Sequence, residues 1–129
     1  MSAWDGLNRR KFPRINFPCL VIIRGPNELP DAILTHTENI GIGGICVLIK
    51  RNLKIITPVE LEIDLLDLSD HVRCGGKVVW SVRRREHESN KPLFYDIGIE
   101  FTDLKAEDAG RLASLVENAS QKNPESVIL

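Results

Sequence analysis

The sequence predicts an all-β fold, a six-stranded antiparallel barrel with one C-terminal α-helix, and three observations carry that expectation. Apolar residues alternate with polar ones in run after run, the period of a strand with one buried face. Glycine, proline, asparagine and serine gather between those runs, where turns need them. A helical spacing of apolar residues is readable once, after residue 102. Six short antiparallel strands must hide their edges, and closing into a small barrel does so within the 129 residues of one domain.

Residues 1–8 read as a flexible lead and residues 9–120 as a single domain. Strands are expected at Phe17–Arg24, Ala32–Glu38 and Ile45–Ile49, divided by Gly25-Pro26-Asn27 and by the run from Asn39 to Gly44. After the Thr57-Pro58 turn the alternation is clearest, with Val59, Leu61, Ile63 and Leu65 on one face and Glu60, Glu62 and Asp64 on the other. Those acids are what a solvated sheet face requires, so they are read as surface and not as a carboxylate site. A fifth strand covers Val72–Val82. The sixth, Phe94–Phe101, follows the turn Ser89-Asn90-Lys91-Pro92 and aligns Tyr95, Ile97, Ile99 and Phe101. The helix takes Thr102 or Asp103 as N-cap, Glu107 and Asp108 in its first turn, and Ala109, Leu112, Leu115, Val116 and Ala119 as its apolar stripe. Residues 121–129 read as a loose tail.

The formal net charge of −1 argues against a long polyanion or an anionic membrane surface as partner. That near-neutrality conceals unlike ends, because residues 1–24 carry +4 and residues 93–129 carry −4. The N-terminus has no signal-peptide pattern and no apolar run approaches the roughly 20 residues of a membrane-spanning helix. Cys19, Cys46 and Cys74 are odd in number and lie in apolar or alternating stretches, which suits buried thiols in a reducing cytoplasm. Cytoplasmic localisation without membrane insertion is the expectation.

No motif of nucleophilic, phosphate-loop or zinc-protease chemistry is present, so no catalytic residue, cofactor or metal is assigned and the chain is not expected to be an enzyme. His36, His71 and His87 are dispersed and read as surface or strand-end residues. Gly41-Ile42-Gly43-Gly44 is followed by the strand Ile45–Ile49 where a dinucleotide fingerprint needs a helix, which leaves a turn whose glycines permit positive φ or close backbone approach. The cluster Arg9-Arg10-Lys11-Phe12-Pro13-Arg14 is more informative. Pro13 disfavours helix at Phe12, so the arginines stand on an extended arm just before the first strand. Four extended residues span about 13–14 Å, which lets Arg10 and Arg14 grip different parts of one small polyanion. Guanidinium suits that task, binding phosphate bidentately, stacking on flat rings and reading the O6 and N7 edge of guanine.

Taken together, Arg10-Lys11-Phe12-Pro13-Arg14 and Asn39-Ile40-Gly41-Ile42-Gly43-Gly44 resemble the paired signatures of the PilZ domain family, R-x-x-x-R and D/N-x-S-x-x-G. The runs Gly76-Lys77-Val78-Val79-Trp80 and Tyr95-Asp96-Ile97-Gly98-Ile99-Glu100-Phe101 are similar to that family's later strands, so the resemblance covers residues 9–120. It implies a six-stranded antiparallel barrel with a C-terminal helix that binds cyclic di-GMP, a bacterial second messenger. It also implies roles: Arg10 and Arg14 as phosphate and guanine contacts with Arg9 as helper, Asn39 on a guanine edge, and Gly44 in a tight turn. Gly41 stands where the family has serine, and Trp80 where some members place an aromatic beside the ligand, although a half-buried strand residue would look the same.

The resulting expectation is a cyclic di-GMP receptor that orders its arginine arm on the ligand and signals to an unidentified protein partner, with outputs such as motility, adhesion or biofilm formation. Two alternatives stand beside it. Gly41 in place of serine suits a PilZ-like adaptor that does not bind nucleotide. Arg83-Arg84-Arg85 with the arm suits a small barrel for single-stranded nucleic acid, but seven aromatics, most of them in core positions, leave too few stacking platforms, so no nucleic-acid partner is expected. The arginine triplet, followed by Glu86, His87 and Glu88, reads as a solvated loop.

Overall fold

The computed structural model describes residues 14–25, 31–84, 93–122 and 127–128. Among them are eight strands and one helix: β1 (Arg14–Ile15), β2 (Leu20–Arg24), β3 (Ile33–Gly41), β4 (Gly44–Ile49), β5 (Pro58–Asp64), β6 (Val72–Arg84), β7 (Phe94–Phe101), α1 (Ala106–Lys122) and β8 (Val127–Ile128). Strands β2 to β7 close a ring in the order β2-β5-β6-β7-β4-β3, with β3 returning to β2, and every pairing is antiparallel. The six-stranded barrel with a C-terminal helix expected from the sequence is therefore the fold.

Closure follows from the alternation. Ile40, Ile45, Ile99 and Val78 are successive partners across β3, β4, β7 and β6, and all four are fully buried. Val59, Leu61 and Ile63 of β5 and Val21 and Ile23 of β2 complete the interior from the opposite wall. Each such aliphatic side chain contributes about 1.5–3 kcal/mol relative to an exposed one. Leu112 and Val116 bring α1 into the same core, and the helix packs against β1, β3 and β8. Cys19, Cys46 and Cys74 are all buried and free. No helix among the described residues is long and apolar enough to cross a membrane.

Strand β1 extends the sheet beyond the ring. Arg14 and Ile15 pair with Gly41 and Ile40, at the end of β3 that β2 does not reach. β1 and β2 thus form one line along β3, interrupted at Pro18, which has no N–H to give. Thr37 bridges the interruption. Its hydroxyl donates to the Phe17 carbonyl at 2.6 Å and accepts from the Cys19 N–H at 2.9 Å, while its own N–H donates to the Cys19 carbonyl at 2.9 Å. These bonds explain why a threonine is almost fully buried in an aliphatic interior.

Two boundaries differ from the sequence reading. Thr102 and Asp103 do not cap the helix, which begins at Ala106 with Glu107 and Asp108 in its first turn. Beyond the last β6–β7 pair, Gly76 with Phe101, they serve the neighbouring glycine instead. The Thr102 N–H donates to the Gly75 carbonyl, and the Asp103 carboxylate accepts from the Gly75 N–H. The stretch 121–129, read as a loose tail, contains the helix end at Lys122 and strand β8, which pairs Ile128 with Arg14 and Val127 with Ile15. An edge strand such as β1 offers unpaired backbone groups, and a two-residue segment suffices to take them up.

Candidate functional site

A groove on the outer face of the barrel arises from two irregularities in the ladder. Between Thr37 and Asn39 on β3, and again between Val78 and Trp80 on β6, the register shifts by an inserted residue. A bulge of this kind re-aims the side chains beside it. After the shifts, Asn39 pairs with Cys46, Cys46 with Gly98, and Gly98 with Trp80, giving one cross-strand row over β3, β4, β7 and β6. Directly paired residues share a face. The adjoining row, Ile40-Ile45-Ile99-Val78, fills the interior, so this one looks outward.

The row forms a trough because its two middle members are small. Asn39 stands at one end, Trp80 at the other, and between them lie a thiol and a glycine. A Cβ at Gly98 would fall 2.2 Å from Trp80 Cε2 and 2.3 Å from Nε1, so the indole lies directly over the bare backbone of β7. The cavity here measures about 620 Å³ and is lined by Asn16, Glu38, Asn39, Cys46, Trp80, Val82, Arg84 and Asp96. That volume lies within the roughly 300–1,000 Å³ common for small-molecule sites.

Arg14 reaches the same end from β1. Its Nη1 donates to Asn39 Oδ1 at 3.2 Å, joining the arm motif to the glycine-loop motif across 25 residues of sequence. Gly41, the backbone partner of Arg14, and Gly44 form the β3–β4 hairpin beside the groove and are not part of its lining. None of the described glycines has a positive φ. Gly44 is required by close approach instead, since a Cβ there would lie 2.2 Å from the Ile99 carbonyl oxygen of β7. Arg14, Asn39 and Trp80 are thus brought to one groove with Gly41 and Gly44 at its border, while Arg9 and Arg10 lie outside the described residues.

One wall of the groove is ionic. Arg84 Nη2 donates to Glu38 Oε2 and to Asp96 Oδ1, both at 2.8 Å, and Arg84 Nε reaches Asp96 Oδ2 at 3.3 Å. Hydrogen bonds to the two carboxylates, Asp96 first, hold the guanidinium charged well above its ordinary range. Burial pushes the Glu38 carboxyl up, and Asp96 beside it acts the same way while Arg84 opposes both. Burial, then the charges of Glu38 and Asp96, push the Cys46 thiol up to about 12, so at neutral pH it is a protonated, unreactive floor. Donor atoms of Glu38, Cys46 and Asp96 lie within 4.8 Å of one another, and the cation they face is Arg84.

Sequence reasoning missed this wall. The triplet Arg83-Arg84-Arg85 was expected in a solvated loop, whereas Arg83 and Arg84 belong to β6 and Arg85 lies outside the described residues. The alternation of β7 does put Asp96 opposite the inward face of Tyr95, Ile97 and Ile99. Only the register across four strands places it beside Glu38 and Arg84.

The arrangement offers a cation and an amide at one end, a flat floor with an aromatic ring at the other, and a wall rich in acceptors. The model of the PilZ domain family matches residues 8–118 of this chain. Among curated proteins none matches the sequence. Among solved structures, an inhibitor of motility from Bacillus subtilis (MotI/DgrA) superposes with a TM-score of 0.70 at 20% identity, over 89% of this chain and 52% of that one. The PilZ domain of YcgR from Escherichia coli with c-di-GMP gives 0.66 at 11% identity, over 91% of this chain and 95% of that one. A K. pneumonia MrkH–c-di-GMP complex gives 0.70 at 15% identity, over 91% and 55%. The chain therefore spans about half the length of two of these three proteins.

Proposed function

Since the chain belongs to the PilZ domain family, we propose that it is a receptor for cyclic di-GMP, bound in the trough between Asn39 and Trp80. The observation that carries this reading is the meeting of Arg14, from the arm motif, with Asn39, from the glycine-loop motif, at the rim of a groove lined by Cys46 and Trp80. Two c-di-GMP complexes among the similar structures support the choice of ligand.

In this reading Arg10 and Arg14 take phosphate and guanine, with Arg9 as helper, and Asn39 bonds a guanine edge. Trp80, held flat over Gly98, stacks on a base, an interaction worth about 1–3 kcal/mol. Binding orders the arm against the barrel and so changes the surface offered to a protein partner. The protein works in the bacterial cytoplasm and performs recognition without catalysis, with motility, adhesion or biofilm formation as the type of output.

Calorimetric titration with cyclic di-GMP tests the reading. We expect saturable binding, weakened about tenfold or more by Arg14→Ala and by Asn39→Ala, since hydrogen bonds to charged groups are worth about 1.5–3 kcal/mol. No heat at high micromolar ligand would sink it in favour of the nucleotide-independent adaptor, the reading that Gly41 in place of serine favours. Binding by both variants at wild-type strength would leave the ligand and remove the site.

A further inference from the structure

The ionic wall has no role in binding through Arg14, Asn39 and Trp80, yet it is a built feature of the groove. Glu38 occupies the β3 bulge beside Asn39, Asp96 lies two residues from Gly98 on the same face of β7, and Arg84 ends β6 between them. Arg84 binds Asp96 through two nitrogens and Glu38 through one, which fixes both carboxylates in place. One cation against two anions leaves the wall with a net negative charge. Each carboxylate oxygen has more than one lone pair, so acceptor capacity remains after Arg84 is satisfied. Among the described residues that line the groove there is no lysine and no second arginine.

Such a wall repels phosphate and welcomes a group that presents N–H donors side by side. The Watson–Crick edge of guanine has two, N1–H and the N2 amino group. Adenine has a bare N1 acceptor at the first of these positions and no amino group at the second, so it would set acceptor against acceptor. Same-face residues two apart on a strand are separated by about 6.5–7 Å, so Asp96 stands about that far along β7 from the glycine that the Trp80 ring covers. Resting on the cyclic di-GMP reading, we propose that Glu38 and Asp96, held by Arg84, read the Watson–Crick edge of a bound guanine and make the groove selective for guanine over other purines. The wall also orients the ligand, turning its phosphates toward Arg14 and its base toward β7.

The experiment compares cyclic di-GMP with cyclic di-IMP, which lacks only the N2 amino groups, and with cyclic di-AMP, by calorimetry on the full chain. Wild type should bind cyclic di-GMP about 10- to 100-fold more tightly than either analogue, the discrimination that a paired donor edge provides. In the double variant Glu38→Gln/Asp96→Asn the gap to cyclic di-IMP should fall below about threefold. Equal affinity of wild type for cyclic di-GMP and cyclic di-IMP, which requires no variant to fold, would overturn the proposal and leave the receptor reading standing. An undiminished gap in the double variant would do the same. Failure of wild type to bind cyclic di-GMP at all would instead remove the receptor reading, and this inference with it.

Discussion

Replacing Gly98 with alanine isolates the flat seat of Trp80. The new methyl would begin 2.2 Å from Cε2 and 2.3 Å from Nε1, against 3.4–4 Å for ordinary contact, so the ring must withdraw by about 1.2 Å or more. The indole is half-buried and can swing outward, so the cost to the fold is the low end of overpacking, about 1 kcal/mol. The cost to binding is larger. A ring lifted off β7 no longer stacks squarely, and losing most of a contact worth about 1–3 kcal/mol weakens cyclic di-GMP roughly 5- to 150-fold. Calorimetry on wild type, Gly98→Ala, Trp80→Ala and the double variant makes a closed cycle. The alanine should weaken wild type and have almost no further effect once Trp80 is gone. If Gly98→Ala weakens the Trp80→Ala background as much as it weakens wild type, the methyl acts on the strand and not through the ring, and the reasoning fails.

Gly44→Ala should be harsher on stability, because its methyl meets the Ile99 carbonyl oxygen at 2.2 Å and backbone cannot swing aside; about 3 kcal/mol and a Tm lower by roughly 10 °C are expected, and a loss under about 1 kcal/mol would contradict the close β4–β7 approach. Gly41→Ser, which restores the hydroxyl of the family signature, should tighten cyclic di-GMP about two- to thirteenfold in the same titration, and unchanged affinity would mean that the glycine leaves no bond unmade. Burial first of all raises the thiols of Cys19 to about 11 and of Cys74 to about 12, from 9.0. Above pH 9 the unfolded chain therefore releases thiol protons that the folded chain keeps, and stability falls by up to about 1.4 kcal/mol per pH unit for each thiol. The urea midpoint should drop between pH 8 and pH 10.5, and drop less in Cys74→Val; equal drops would refute the account for that thiol.

How much of this was legible depends on what each feature rests on. Strand faces such as Val59-Leu61-Ile63 follow from period-two alternation, which needs no knowledge of neighbours, and the barrel follows from having many such faces with little else to cover them. Arg14 and Asn39 were legible as parts of two local motifs, and their contact agrees with that pairing. Trp80 was ambiguous because its partner, Gly98, is eighteen residues away and identified only by register. Glu38, Asp96 and Arg84 escaped for a stronger form of the same reason: four strands and two bulges decide that they meet, and no local pattern announces a bulge. Strand β8 escaped because two residues carry no periodicity.

The shortness of β1 bears on how the arm is energetically partitioned from the barrel. Arg14 and Ile15 are held by Ile40 and Gly41 on one side and by Val127 and Ile128 on the other, while the Thr37 hydroxyl secures the chain again at Phe17 and Cys19. Opening β1 exposes one fully buried side chain, Ile15, and breaks a ladder two residues long, whereas opening β6 or β7 dismantles the interior. Free energies of local opening follow what is exposed and broken. Amides at positions 14 and 15 therefore belong to a separate, low-energy exchange class from those at Ile97 and Ile99. On the proposed reading, substitutions in β1 retune how readily the arm docks while leaving the ladder of the six-stranded ring in place.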